Sequence, residues 1–257
     1  MALQKEKTPM KSQDPKERIN NFDEVPLGYT DEEAVQEAER CLQCEHQPCV
    51  DGCPVSVPIP QFIKEVKDGE FSKANEIIKS KNNLPAVCGR VCPQEEQCEE
   101  VCVMGEKFEP VAIGKLERFV SDKALENEDE KDVKVEKERD EKVAVVGAGP
   151  AGLTAAADLA KEGFAVTLFE SLHATGGVLR YGIPQFRLPK EIVDQEVELI
   201  KNLGVEIRLN TIIGKTLTVD ELFEDGYKAV FIGAGAGSPR FLCLEGENLN
   251  GVYSANE

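Results

Sequence analysis

Eight cysteines lie between residues 41 and 102, in two short runs. The first reads Cys41-x2-Cys44-x4-Cys49-x3-Cys53-Pro54, the second Cys88-x3-Cys92-Pro93-x4-Cys98-x3-Cys102. Thiolates this close in sequence can share one inorganic centre, and a Cys-Pro step at the end of a run is a habit of iron–sulfur ligation. Two other uses of cysteine compete with that one. A disulfide framework belongs to oxidising compartments, yet residues 1–20 are charged and lack the apolar core of a signal peptide. Structural zinc suits four thiolates but usually pairs two Cys-x2-Cys knuckles across a longer gap, and one such knuckle occurs here. Four cysteines within 13 residues, closed by Pro54, fit a cubane better. The reading is two [4Fe–4S] clusters.

A second chemical signal follows at Gly147-Ala148-Gly149-Pro150-Ala151-Gly152. This Gly-x-Gly-x-x-Gly follows an apolar run, opens an apolar helix pattern, and has Glu170 at the end of the next strand pattern, 18 residues past Gly152. The first glycine permits a tight turn, the second lets the backbone approach a pyrophosphate, and the third lets helix and strand pack. Helix N–H groups then meet the phosphates, and Glu170 can accept from a ribose hydroxyl. A bare strand–helix turn without ligand is the bland alternative. With Gly176-Gly177 downstream and a glycine-rich turn at Gly233-Ala234-Gly235-Ala236-Gly237, the pattern resembles the two-dinucleotide-binding flavoproteins, which implies FAD.

These groups need a scaffold, and the chain divides near residue 130. Before it the pattern is helical. Thr30 and Glu33 form a capping box ahead of Ala34, Val35, Ala38, Cys41 and Leu42; further helices carry Phe62, Ile63 and Val66, then Phe71, Ala74, Ile77 and Ile78, then Ile113, Leu116, Phe119 and Val120. Ser121–Lys142 is dense in mixed charge and reads as an exposed linker with some helical character. Strands are expected at 143–146, 165–169, 205–209 and 228–232, with helices at 153–160 and 189–203 between them. The expected fold class is α/β, an all-α iron–sulfur domain (1–130), a linker (131–141) and a parallel-sheet FAD domain of Rossmann type (142–257) that holds only the first part of that fold. The formal charge of −18 argues against nucleic acid, and no apolar run approaches the roughly 18 residues that cross a bilayer. A cytoplasmic setting follows from these readings.

Linked motifs sharpen this. Arg18-Ile19-Asn20-Asn21-Phe22, Gly28-Tyr29-Thr30, both cysteine runs, Gly147–Gly152 and the stretch from Tyr181 to Pro189 resemble the family of the NADPH-dependent glutamate synthase small (β) subunit. The large subunit of NADH-dependent ferredoxin:NADP oxidoreductase and the N-terminal part of dihydropyrimidine dehydrogenase are equally similar. The resemblance implies ligation crosswise between the runs. Cys41, Cys44, Cys49 and Cys102 would hold one cluster; Cys53, Cys92, Cys98 and a non-cysteine ligand, Glu117, would hold the other, leaving Cys88 a bystander. Counting thiols alone favours Cys88 as the eighth ligand, and both readings stay open. The resemblance also implies FAD contacts from Gly147 to Gly152 (Ala148, Gly149, Pro150 and Ala151 included), Glu170, Gly177, Val178, Arg187, Ile213, Gly233 and Gly235. Cys243, beside Phe241 and Leu242, is expected to be a buried apolar residue; His46 and His173 lack a partner pattern, and no side chain is nominated as a catalytic acid or base.

Relatives of this kind carry a second nucleotide domain for NADPH or NADH, and no second fingerprint is present in the chain. The expected function is an FAD and iron–sulfur electron-transfer module, serving a partner such as the glutamate synthase large subunit or a ferredoxin-reductase-type subunit. The alternatives are a cluster-binding docking or scaffold fragment without catalysis, or the electron-input module of an electron-bifurcating ferredoxin:NADP or sulfide oxidoreductase.

Overall fold

The computed structural model describes residues 4–126, 139–238 and 240–254. The N-terminal part is helical: α1 (Pro15–Arg18), α2 (Asp31–Ala38), α3 (Pro48–Asp51), α4 (Ile59–Lys67), α5 (Phe71–Lys79), α6 (Pro85–Val91) and α7 (Ile113–Glu126), with 3-10 turns at Gln94–Glu96 and Val103–Glu106. Helix α2 starts at the expected capping box, Thr30 accepting from Glu33 N and the Glu33 carboxylate accepting from Thr30 N. Its buried face joins Phe62, Ile63 and Val66 of α4, Ala74 and Ile78 of α5, and Leu116, Phe119 and Val120 of α7 in one core. Phe71 meets the Phe119 ring edge-on, centroids 5.0 Å apart, a favoured aromatic geometry.

Two expectations fail in this half. The stretch from Ser121 is no exposed linker: α7 runs on to Glu126, burying Ser121, Ala124 and Leu125. Mixed charge concealed a helix whose opposite face is apolar. Residues 131–138 of the expected linker lie outside the described residues; Arg139–Glu141 belong with the sheet, Arg139 N bonding Gly163 O and Glu141 O accepting from Ala165 N. Helix α6 was not expected at all. Only seven residues long, it has no amphipathic period, and Gly89 serves close packing: a Cβ there would stand 2.5 Å from Arg118 N of α7.

The C-terminal part comprises β1 (Lys142–Val146), α8 (Pro150–Lys161), β2 (Ala165–Phe169), α9 (Val178–Tyr181), α10 (Lys190–Asn202), β3 (Glu206–Arg208), α11 (Val219–Glu224) and β4 (Tyr227–Ile232). All strands pair in parallel, in the order β3-β2-β1-β4, with Val146 opposite Phe169 on one side and Ile232 on the other. The order reverses beside β1, and the carboxyl ends of the strands at such a reversal are the usual ligand position of these sheets. Leu153, Ala156 and Ala157 of α8 and Val193, Val197 and Ile200 of α10 pack on Val145, Val166 and Leu168. Leu84 and Val87, from the cysteine-bearing half, enter this same core.

Candidate cofactor sites

The first cysteine run begins at the end of α2, where a buried ion pair fixes the backbone. Arg40, 1% exposed, donates to Glu37 Oε1 at 2.5 Å and to the carbonyls of Gln4, Lys5, Glu109 and Pro110. Glu37 accepts in turn from Thr8 N and Ala112 N. Buried charges are tolerable when hydrogen-bonded this fully. The clamp sets Cys41 next to the chain that leads into α7. Beside it Cys41, Cys44, Cys49 and Cys102 line one small, partly open cavity, walled by Ile59, Pro60, Ile63, Met104 and Val111. Burial raises the thiol pKa values of Cys41 and Cys49, the latter to about 12. Such thiols keep their protons until a metal displaces them.

Cys53, Cys92 and Cys98 belong to a second neighbourhood, around Glu117. Burial raises the Cys98 thiol, and the charges of Glu117 and Cys53 raise it further. Burial likewise pushes the Glu117 carboxyl up to about 8, with Cys92 adding to the shift. Glu117 Oε1 accepts from Asn82 Nδ2 at 2.8 Å. Cys88 stands here too, its thiol raised and that of Cys92 lowered by a hydrogen bond between them. Both rivals for the eighth ligand therefore adjoin Cys92. Among the described residues no three His, Cys, Asp or Glu side chains converge as a single ion requires. Zinc would hold its thiolates about 2.3 Å from one point, whereas a four-iron cubane spreads them around a larger body. The donor set, thiols in dry apolar walls, fits the cluster.

At the sheet, the turn after β1 is held on three sides. Gly147 N donates to Phe169 O at 2.7 Å, Gly176 N to Ala148 O at 2.8 Å, and Gly233 N to Val146 O at 2.8 Å. A Cβ on Gly152 would lie 1.8 Å from Gly147 O, so only glycine lets α8 start this close to the turn. Helix α8 begins at Gly149 without a side-chain cap. Its first-turn N–H groups are thus free for a pyrophosphate, which is the fit expected of a dinucleotide. Glu170, 5% exposed, accepts from Ala148 N at 2.7 Å, Leu172 N at 2.9 Å and Ser171 Oγ at 3.0 Å. The loop bearing Ile213 runs alongside, Thr211 N bonding Glu170 O and Asn210 N bonding Leu172 O.

The described contacts thus gather Gly147–Gly152, Glu170, Gly177 and Gly233 at the carboxyl end of β1, whereas Ile213 packs against the cluster of Ala144, Phe169, Leu222 and Tyr227. Val178, at the start of α9 after Gly177, is 57% exposed. Arg187 is exposed and makes no ion pair among the described residues; its loop reaches the site through the bond from Ile183 N to Val178 O. Gly235 has nothing near it, its positive φ of 74° being a turn conformation. Cys243 is exposed rather than buried, in a turn where Glu247 accepts from its N–H at 2.8 Å. Sequence reasoning missed Asn82, which holds Glu117, and Asn83 and Glu196, which join the two halves. The step Asn82-Asn83-Leu84-Pro85 held the signal, since an Asn turn before a proline at the first helical position marks a helix start.

Residues 18–129 match the family described as dihydropyrimidine dehydrogenase domain II, 4Fe-4S cluster, and residues 141–256 match pyridine nucleotide-disulphide oxidoreductase. The glutamate synthase [NADPH] small chain of Escherichia coli K12 is 39% identical over 91% of this chain and 49% of its own. That of Halomonas elongata is 36% identical over 93% of this chain and 50% of its own. The NAD-dependent dihydropyrimidine dehydrogenase subunit PreT of Escherichia coli O157:H7 is 39% identical over 86% of this chain and 54% of its own. The chain spans about half the length of these relatives. An iron–sulfur domain ahead of a parallel-sheet dinucleotide domain, each matched over its own half, makes this chain an FAD and [4Fe–4S] oxidoreductase module, similar across both halves to the glutamate synthase small chain.

Proposed function

We propose that residues 1–130 carry two [4Fe–4S] clusters, that 131–141 join the halves, and that 142–257 bind FAD. Together they act as the electron-transfer module of a glutamate synthase small-chain-like NAD(P)H oxidoreductase. The observation that carries this is the sorting of the cysteines. Cys41, Cys44, Cys49 and Cys102 share one cavity, while Cys98 adjoins Cys53 and Glu117, and Glu117 adjoins Cys92. Glu117 is read as the eighth ligand and Cys88 as a neighbour that hydrogen-bonds Cys92.

When bound, FAD accepts electrons as a pair or singly, and [4Fe–4S] clusters exchange them one at a time. The chain's own residues bind, orient and exclude water. Helix α8 offers N–H groups to the pyrophosphate and Glu170 its carboxylate to the ribose. Val178, Arg187, Ile213, Gly233 and Gly235 are assigned to the rest of FAD, Arg187 offering positive charge. No side chain is needed as an acid or base. Electrons enter from NADPH or NADH in the full-length context and leave to a partner subunit.

Anaerobic reconstitution with iron, sulfide and FAD tests the reading. About eight irons and eight sulfides per chain, as two cubanes require, should accompany one bound flavin. Stoichiometric zinc with negligible sulfide would end it, and clusters without flavin would favour the docking or scaffold role.

A further inference from the structure

The link from α5 to α6, residues 82–86, is bonded from both halves of the molecule. Asn82 is 7% exposed and Asn83 9%. Asn82 Nδ2 donates to Glu117 Oε1 at 2.8 Å, while its Oδ1 accepts from Leu84 N at 3.0 Å and from the Cys88 thiol at 3.7 Å. The Leu84 N–H fixes the amide's orientation, because a backbone N–H only donates and so must face Oδ1, which turns Nδ2 to Glu117. Asn83 is held from the other side: its Nδ2 donates to Asp158 Oδ1 at 2.6 Å and its Oδ1 accepts from Lys161 Nζ at 2.6 Å. Asp158 and Lys161 lie in the last turns of α8, the helix whose first turn is the dinucleotide turn. Two consecutive asparagines thus tie Glu117 to the helix that starts at the flavin site.

We propose that Asn82 is the positioning residue for the carboxylate that completes the second cluster. By occupying Oε1 of Glu117 it leaves Oε2 as the oxygen presented to iron, and it fixes the angle at which that oxygen arrives. This rests on the reading of Glu117 as a ligand. A donor on the outer oxygen of a ligating carboxylate withdraws electron density, and outer hydrogen bonds of this kind orient ligands and tune metal centres. Asn82 therefore raises the potential of that cluster, and Asn83 keeps the turn in place without touching the ligand.

The test uses the whole chain, reconstituted anaerobically with iron, sulfide and FAD, and reads the EPR spectrum and reduction potential of each cluster. Asn82→Ser keeps an oxygen for Leu84 N but is too short to reach Glu117. It should retain full iron content, shift one cluster to a more negative potential with altered g values, and leave the other unchanged. Asn82→Asp is the second variant, retaining the turn acceptor while setting a like charge against Glu117; it should shift the same cluster further. Asn83→Ala should lower the unfolding midpoint and move neither potential. Were Asn82→Ser and Asn82→Asp to leave both clusters as in the wild type while Glu117→Ala perturbs one, Asn82 would be a turn residue only and the inference would fall. Were Glu117→Ala itself without effect on either spectrum, the ligand reading would have failed, and the inference with it.

Discussion

Glu196 accepts a hydrogen bond from the backbone N–H of Ala86 at 2.8 Å, across 110 residues of chain. Ala86 is the second residue of α6, a helix that starts at Leu84 with no side-chain cap of its own. A carboxylate of α10 therefore caps the helix that carries Cys88 and leads to Cys92. Because removing a cap costs about 1 kcal/mol and leaving a buried N–H unpaired costs more, Glu196→Ala should destabilise the chain by roughly 2–3 kcal/mol. Glu196→Gln keeps an acceptor and should cost less than half of that. Urea unfolding of both variants measures it, and equal losses would mean that the cap is immaterial.

The same carboxyl gives a pH dependence. Burial pushes Glu196 up to about 7, against an unfolded value near 4.3. Its Oε2 is buried with no hydrogen-bond partner among the described residues, so the ionised form lacks a second donor. The folded chain holds a proton in that interval that the unfolded chain has released. Stability from this group is therefore full below about pH 4 and is lost as pH rises to about 7, on the order of 3 kcal/mol in all. Glu196→Gln removes that slope. Unfolding midpoints at pH 5, 6, 7 and 8 should converge for the two proteins on one side only, and parallel curves would refute the assignment.

Glu170 closes the dinucleotide turn through Ala148 N and also stands where a ribose hydroxyl is expected. Charge-assisted hydrogen bonds contribute about 1.5–3 kcal/mol each, so Glu170→Ala should weaken FAD binding at least about tenfold, with both clusters kept. Flavin fluorescence titration reads this directly. Unchanged affinity would place the ribose elsewhere.

Gly152→Ala should be more damaging than Glu170→Ala. Its Cβ would lie 1.8 Å from Gly147 O, and both are backbone-anchored. The turn must open, and with it the seat of the pyrophosphate. Loss of flavin together with a lowered unfolding midpoint is the expected outcome, and normal flavin content would show that the turn is looser than its contacts imply.

For the clusters, Cys102→Ser should remove about half of the iron, as expected if it completes one of two cubanes, although Cys102 lies far along the chain from its cavity companions. Cys88→Ser should leave iron content intact and shift the cluster held by Cys92, whose sulfur it hydrogen-bonds. Iron analysis and EPR separate the two, and loss of a cluster in Cys88→Ser would return Cys88 to the ligand set.

Much of this protein is local and therefore legible in sequence. The capping box at Thr30, the glycine turn, the strand β2 ending just before Glu170 and the helical period of α4, α5 and α10 depend on neighbours within a few residues. The types and spacing of the cysteines named their chemistry for the same reason. Tertiary structure decided the rest. Helix α6 has too few residues and too little period to announce itself, since its cap is Glu196 and its packing surface is the backbone of Arg118. The end of α7 reads as a charged linker until Ala124 and Leu125 find a core. Cys243 reads as buried beside Phe241 and Leu242, yet no element covers that turn among the described residues. Spacing within a run brings three thiols together, but the fourth thiol of the first cavity, Cys102, comes from the other run and arrives only through the folding of the chain between them. Contacts between distant segments carry no short-range pattern, and only the folded chain, in which burial makes each of them necessary, determines them.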